Sequence, residues 1–255
     1  MSLSESESFR AKIQDRNQFV TTCDGGDLGV PESPSIWLFG IEPGWSLSDE
    51  VAEAKGLGVS EGILKDYSVE LQLAWPFNRN AFKLLAAIEE IPISEYRKFA
   101  KEKRPFERDS KGYFKGNLYP AALNKLTTWH EDATYLTGFN NKEDYQNWVK
   151  ERRFPIVESW IDVSRPKLFI GTGLGHLEDF MKVTKTKDFK THSFSVKGQS
   201  KRLIWSTDGI VPIVVLPHLS GGKNGLNSHE SIRIAAEFIR NNFPSLKRGK
   251  DSVPC

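Results

Sequence analysis

The chain has 255 residues, 38% of them hydrophobic and 27% charged, with a formal net charge of +2 and a sequence pI near 8.4. This composition suits one large domain that folds around its own core, and no apolar run approaches the roughly 20 residues of a membrane helix, so a membrane role is not expected. Cys23 and Cys255 are too few for a four-thiolate metal or iron–sulfur site, and the opening Met1-Ser2-Leu3-Ser4-Glu5-Ser6-Glu7 lacks the basic flank and apolar core of a signal peptide; a reducing cytoplasm is the expected location.

In chain order, residues 7–20 alternate loosely enough to predict a peripheral helix, followed by a turn at Asp24-Gly25-Gly26-Asp27. Ser35-Ile36-Trp37-Leu38-Phe39 reads as a buried strand running into Gly40-Ile41-Glu42-Pro43-Gly44-Trp45. Phe77, Ala81, Leu84, Leu85, Ile88 and Ile91 recur at helical spacing and predict an amphipathic helix ending before Pro92. Residues 102–138, rich in aromatics, Gly and Pro, show no clean period and read mostly as loop and short elements. A helical pattern over 143–163, broken near Pro155, leads to the strand Pro166-Lys167-Leu168-Phe169-Ile170 and the turn Gly171-Thr172-Gly173-Leu174-Gly175, with a short helix over 176–182. Residues 191–197 and 202–206 predict a hairpin around Gly198-Gln199-Ser200-Lys201. The last core strand, Val211-Pro212-Ile213-Val214-Val215-Leu216, feeds Pro217-His218-Leu219-Ser220-Gly221-Gly222. The final helix is expected to start from an Asn227/Glu230 capping box and to bury Ile232, Ala235, Ala236, Ile239 and Phe243. Strand–helix alternation with crossovers predicts one α/β domain over residues 1–255, with a mainly parallel central sheet between two helical layers.

Two loops carry the candidate chemistry. Each follows an apolar strand, and in an open α/β sheet such strands deliver their loops to one rim. Glu42, held between Ile41 and Pro43, can orient or deprotonate a water there. His218 can donate a hydrogen bond to an oxygen that becomes anionic. Gly221, Gly222 and Gly225 allow close backbone approach, and Ser220, Lys223, Asn224 and Ser228 offer phosphate-binding groups at a helix start. For Gly171-Thr172-Gly173-Leu174-Gly175 the spacing is not that of a dinucleotide fingerprint, and a close-packed strand-to-helix turn is expected. His130, His176, His192 and His229 lack metal-ligand spacing, so neither a metal nor another cofactor is expected.

The pentapeptide Gly40-Ile41-Glu42-Pro43-Gly44 resembles the first motif of the uracil-DNA glycosylase superfamily, and Pro217-His218-Leu219-Ser220-Gly221 resembles its second. The resemblance covers the layout of residues 35–242 and implies a three-layer α/β/α sandwich. It gives Glu42 the place of the residue that positions water and His218 the place of the histidine that stabilises charge on the departing base. Gly40, Ile41 and Gly44 would line the base pocket, with Gly44 where some branches carry a bulky Tyr. Asn117, in Asn117-Leu118-Tyr119-Pro120, would read the base edge and Phe77 would stack on the base. Leu219 or Leu226 would fill the gap left by a flipped nucleotide, while Ser220, Lys223, Asn224 and Ser228 would contact DNA. Two departures stand out: Glu42 replaces the usual Asp or Asn, and Leu219 replaces the Pro that usually follows the His.

These residues predict a monofunctional DNA base glycosylase that flips uracil or a related damaged base out of single- or double-stranded DNA and hydrolyses its N-glycosidic bond; they do not fix the oligomeric state, for which a monomer is favoured. The competing reading is a noncatalytic nucleic-acid or nucleotide-binding protein on the same fold. A third is a nucleotide- or sugar-processing enzyme built on the turn at Gly173.

Overall fold

The computed structural model describes residues 3–43, 68–122, 129 and 131–246. Ser4 starts α1 (Glu5–Gln14) with a reciprocal capping box to Glu7. The helix stops well short of the expected Val20, because Asp15 is extended and its side chain accepts from the Asn17 amide, opening two 3₁₀ turns instead. Short strands β1 (Gly25–Gly26), β2 (Gly29–Val30) and β3 (Ser33–Pro34) lead into β4 (Ile36–Gly40), which is buried throughout. After α2 (Val69–Gln72), the predicted amphipathic helix forms as α3 (Pro76–Ile88), and α4 (Tyr96–Lys103) follows.

The short elements of the stretch expected to be mostly loop include a core strand, β5 (Tyr113–Asn117), and a helix, α5 (Glu131–Thr137). Tyr113-Phe114-Lys115-Gly116-Asn117 carries no strand signature, yet all five residues are buried, because the polar pair Lys115 and Asn117 finds a shared partner in Asp24. The expected break near Pro155 separates α6 (Lys142–Arg152) from α7 (Phe154–Ser164), and β6 (Leu168–Thr172) and α8 (Leu177–Val183) come next. The hairpin is longer than predicted: β7 (Lys190–Val196) and β8 (Gln199–Ser206) meet at a two-residue turn whose Lys197 and Gly198 both take positive φ, the conformation that matches strand twist. Then come β9 (Ile213–Leu216) and α9 (His229–Asn242). Its capping box is formed by Ser228 and Ser231 rather than by Asn227 and Glu230.

Among the described residues, seven strands form one sheet in the order β1-β5-β4-β6-β9-β8-β7. β5, β4, β6 and β9 run parallel, and β1, β8 and β7 add antiparallel edges. Alternation along the parallel strands splits the core. Ile36, Leu38, Ile170, Val214 and Leu216 face α3, α4 and α9, whereas Trp37, Phe39, Phe114, Phe169 and Val215 face α6, α7 and α8. The chain therefore forms a three-layer α/β/α arrangement. It goes from β4 to β5 on one side, then returns to β6 on the other. That reversal is a topological switch point beyond the carboxyl ends of β4 and β6, the place where open α/β sheets hold their ligands.

Candidate active site at the carboxyl rim of the sheet

Parallel register brings the ends of four strands to one rim. Gly40 pairs with Asn117, and Thr172 with Leu216. The carbonyls of Gly40 and Ile41 accept from the Leu118 and Tyr119 amides at 3.1 and 2.9 Å, so these two residues tie β4 to the chain beyond β5. Ile41 packs onto Gly173: a Cβ there would collide with its Cδ1, and φ of 114° at Gly173 suits glycine. At Gly171 a Cβ would meet the Phe180 ring. The glycine turn after β6 is thus a packing device, as its spacing suggested.

Glu42 projects toward the α6 layer, with its side chain 2% exposed and Oε1 2.8 Å from the Lys142 ammonium. Oε2 is buried and accepts no hydrogen bond among the described residues. A second acidic centre adjoins it. Asp179 accepts from Tyr119 at 2.7 Å, pairs with Lys150 at 2.9 Å and meets His176 Nδ1 at 2.9 Å. Burial by itself would raise the Asp179 carboxyl, but the hydrogen bonds from His176, Tyr119 and Lys150 outweigh it and hold its pKa at about 2. Burial holds both Tyr119 and Tyr145 un-ionised; at Tyr119 the hydrogen bond to Asp179 and its charge add to this, and the charge of Glu42 acts on both.

Folded Asp179 binds its proton more weakly than the unfolded carboxyl near 3.8, so its contribution is complete above about pH 4 and lost as pH falls toward 2. The stability gap between wild type and Asp179→Asn is expected to close over that window in acid denaturation; a gap unchanged from pH 5 to 2 would contradict the cluster.

His218 lies on the other face of the sheet, half-buried, with its ring centroid 5.4 Å from that of Phe77. The Ser220 amide donates to Nδ1 at 3.3 Å and the Ser220 hydroxyl lies 2.6 Å from the same nitrogen. An amide N–H can only donate, so Nδ1 is the acceptor and the ring proton sits on Nε2. Burial lowers the pKa of His218, favouring the neutral ring. Lys115 places its ammonium 5.2 Å over the Phe77 ring and 3.3 Å from Asp24 Oδ2, which also accepts from Asn117 Nδ2 at 2.8 Å. Asn117 Oδ1 fills the space where a Cβ on Gly40 would otherwise lie.

The predicted residues therefore form two groups at one rim. Phe77, Asn117 and His218 share the α3 face, linked through Lys115 and Asp24, while Glu42 turns toward α6. Glu42 and His218 share no hydrogen bond, ion pair or ring contact among the described residues. Gly44 lies outside the described residues. In comparisons with known proteins, no family model and no curated protein matches the chain.

The loop after His218 corrects the expectation for its leucines. Leu219 and Leu226 are 0% exposed and belong to the core, so neither projects as a wedge. The loop folds back on itself: the Leu226 amide donates to the His218 carbonyl at 2.9 Å, and Asn80 Nδ2 donates to the Leu219 carbonyl at 2.6 Å. Buried Lys201 donates to the carbonyls of Lys223 and Gly225 at 3.1 and 2.7 Å. Lys223 and Asn224 remain exposed at the tip, whereas Ser220 is engaged by His218 and the Ser228 hydroxyl caps α9. Leu226→Ala is expected to cost about 2–5 kcal/mol of stability, the range for buried leucines. Urea unfolding checks this, and a loss below about 0.5 kcal/mol, typical of surface sites, would place the residue outside the core.

Asp24, Lys142, Asn80 and Lys201 were not singled out by sequence reasoning. Asp24 reads as part of a turn, and the other three reach the site from elements remote in sequence.

Proposed function

We propose that the protein is an N-glycosidase acting on a flipped base of DNA, uracil or a related damaged base, on a uracil-DNA glycosylase-like fold. The observation that carries this reading is the tautomer of His218, whose Nε2–H is available to an oxygen that gains charge, on the sheet face that also carries Phe77 and Asn117. Phe77 supplies a stacking surface and Asn117 an amide for the base edge. Glu42 offers a buried, anchored carboxylate with one oxygen still able to accept from water.

In the reaction the bond between base nitrogen and C1′ breaks, and its electron pair leaves on the base, whose oxygen is held by His218 Nε2–H. The water oxygen bonds to C1′, its proton passes to Glu42 and on to solvent, and the departed base is protonated by solvent. Lys223 and Asn224 contact phosphates, which makes binding weaken with salt. Extrusion costs a few kcal/mol, least for damaged or unpaired bases, and this favours such substrates.

The test is formation of abasic, alkali-labile sites in oligonucleotides carrying uracil or hypoxanthine. Absence of such sites across single- and double-stranded substrates would refute the activity. A second reading, a nucleic-acid-binding protein without hydrolysis, draws on the Lys142 ammonium that already occupies Glu42. Salt-dependent DNA binding with no abasic product is its signature.

A further inference from the structure

Asp24 sits at the start of the sheet edge, immediately before β1, and its Oδ2 serves two groups on neighbouring β5. It accepts from Asn117 Nδ2 at 2.8 Å and lies 3.3 Å from the Lys115 ammonium. An Asn side chain alone can present either its oxygen or its nitrogen to a ligand, because the two ends have the same shape. A carboxylate cannot donate, so the Nδ2 end of Asn117 must turn toward Asp24. Asn117 is 6% exposed, which leaves little room for rotation, and its Oδ1 accepts no hydrogen bond among the described residues. Gly40 makes room for that oxygen at the rim.

We propose that Asp24 is a positioning residue: by fixing the Asn117 amide with Oδ1 as the acceptor at the rim, it selects bases whose edge carries a ring N–H beside a carbonyl. The inference rests on the base-handling reading of this face. Uracil and hypoxanthine meet the condition. Cytosine presents a ring nitrogen lone pair to Oδ1 and is rejected, because the two acceptors face each other unpaired.

The test uses the full chain and free bases, so it does not depend on hydrolysis. Binding of free uracil and free cytosine is followed by NMR in wild type, Asp24→Ala and Asp24→Asn. Asn at position 24 keeps an oxygen that can accept from both Asn117 and Lys115, so it serves as the conservative rescue. Wild type is expected to prefer uracil, Asp24→Ala to lose about tenfold of that preference, the worth of one hydrogen bond, and Asp24→Asn to retain most of it. An equal loss for both bases in Asp24→Ala, an unchanged preference, or no preference in the wild type would overturn the proposal. A second readout needs no variant: one Asn117 Nδ2 proton is expected to exchange slowly in the wild type, and fast exchange of both would overturn the fixed amide. Uracil preference without base release would remove the hydrolytic function and leave the role of Asp24 standing.

Discussion

Glu42→Gln is expected to lower base release by about 10²–10⁴-fold, the range for a positioned acid–base group, while DNA binding stays near the wild-type level. The side chain is 2% exposed, so its oxygens face protein rather than bulk water, and Lys142 fixes one of them. Glutamine keeps the length and loses the charge. It can still lie beside Lys142, but it cannot take a proton from water and offers only one oxygen acceptor. Lys142 would lose its anionic partner, and the 24% exposure of its side chain leaves it a route to solvent, which limits the cost to the fold. A melting temperature near that of the wild type, together with lost base release, separates chemistry from folding. Release within a few-fold of wild type would show that Glu42 neither orients nor deprotonates the water.

For His218→Ala the expected loss is about 10²–10³-fold, the cost of removing one preorganised donor to a developing anion. The ring is held from two sides, by Ser220 at Nδ1 and by Phe77 at its face, so its donor direction is set before substrate arrives. Burial lowers its pKa, so the neutral form persists below the ordinary histidine value near 6.5. The unfolded chain takes up a proton there that folded His218 resists; its contribution to stability is therefore present above about 6.5 and lost as pH falls through the lower folded value. The His218 ring is expected to titrate below 6.5 when followed by NMR, in the direction that burial sets. A ring titration centred at or above 6.5 in the wild type would contradict a buried neutral imidazole.

The two strand-loop units were legible because apolar runs ending in Gly, Pro and a single polar residue have few other uses. Parallel register, which the sequence did not show, brings Gly40 opposite Asn117. β5 was hidden, because a buried Lys and Asn in five residues read as loop until Asp24, some 90 residues earlier, is seen to satisfy both. The leucines of the His218 loop misled for the opposite reason. A Gly- and Ser-rich segment suggests a projecting surface loop, but Lys201 and Asn80 pull its backbone inward and seat Leu219 and Leu226 in the core. Lys142 gave no signal at all, since it stands just before the helical pattern over 143–163 and only the fold brings it to Glu42. A groove of about 610 Å³ beside Ile91, Arg233 and Arg240 contains none of the candidate site residues.

The most direct measurement is base release from labelled single- and double-stranded oligonucleotides carrying uracil, hypoxanthine or mismatched thymine, with wild type, Glu42→Gln and His218→Ala side by side. Release by the wild type that both variants lose is the predicted result. Full release retained by both variants, or DNA binding by the wild type with no base released from any substrate, would contradict it.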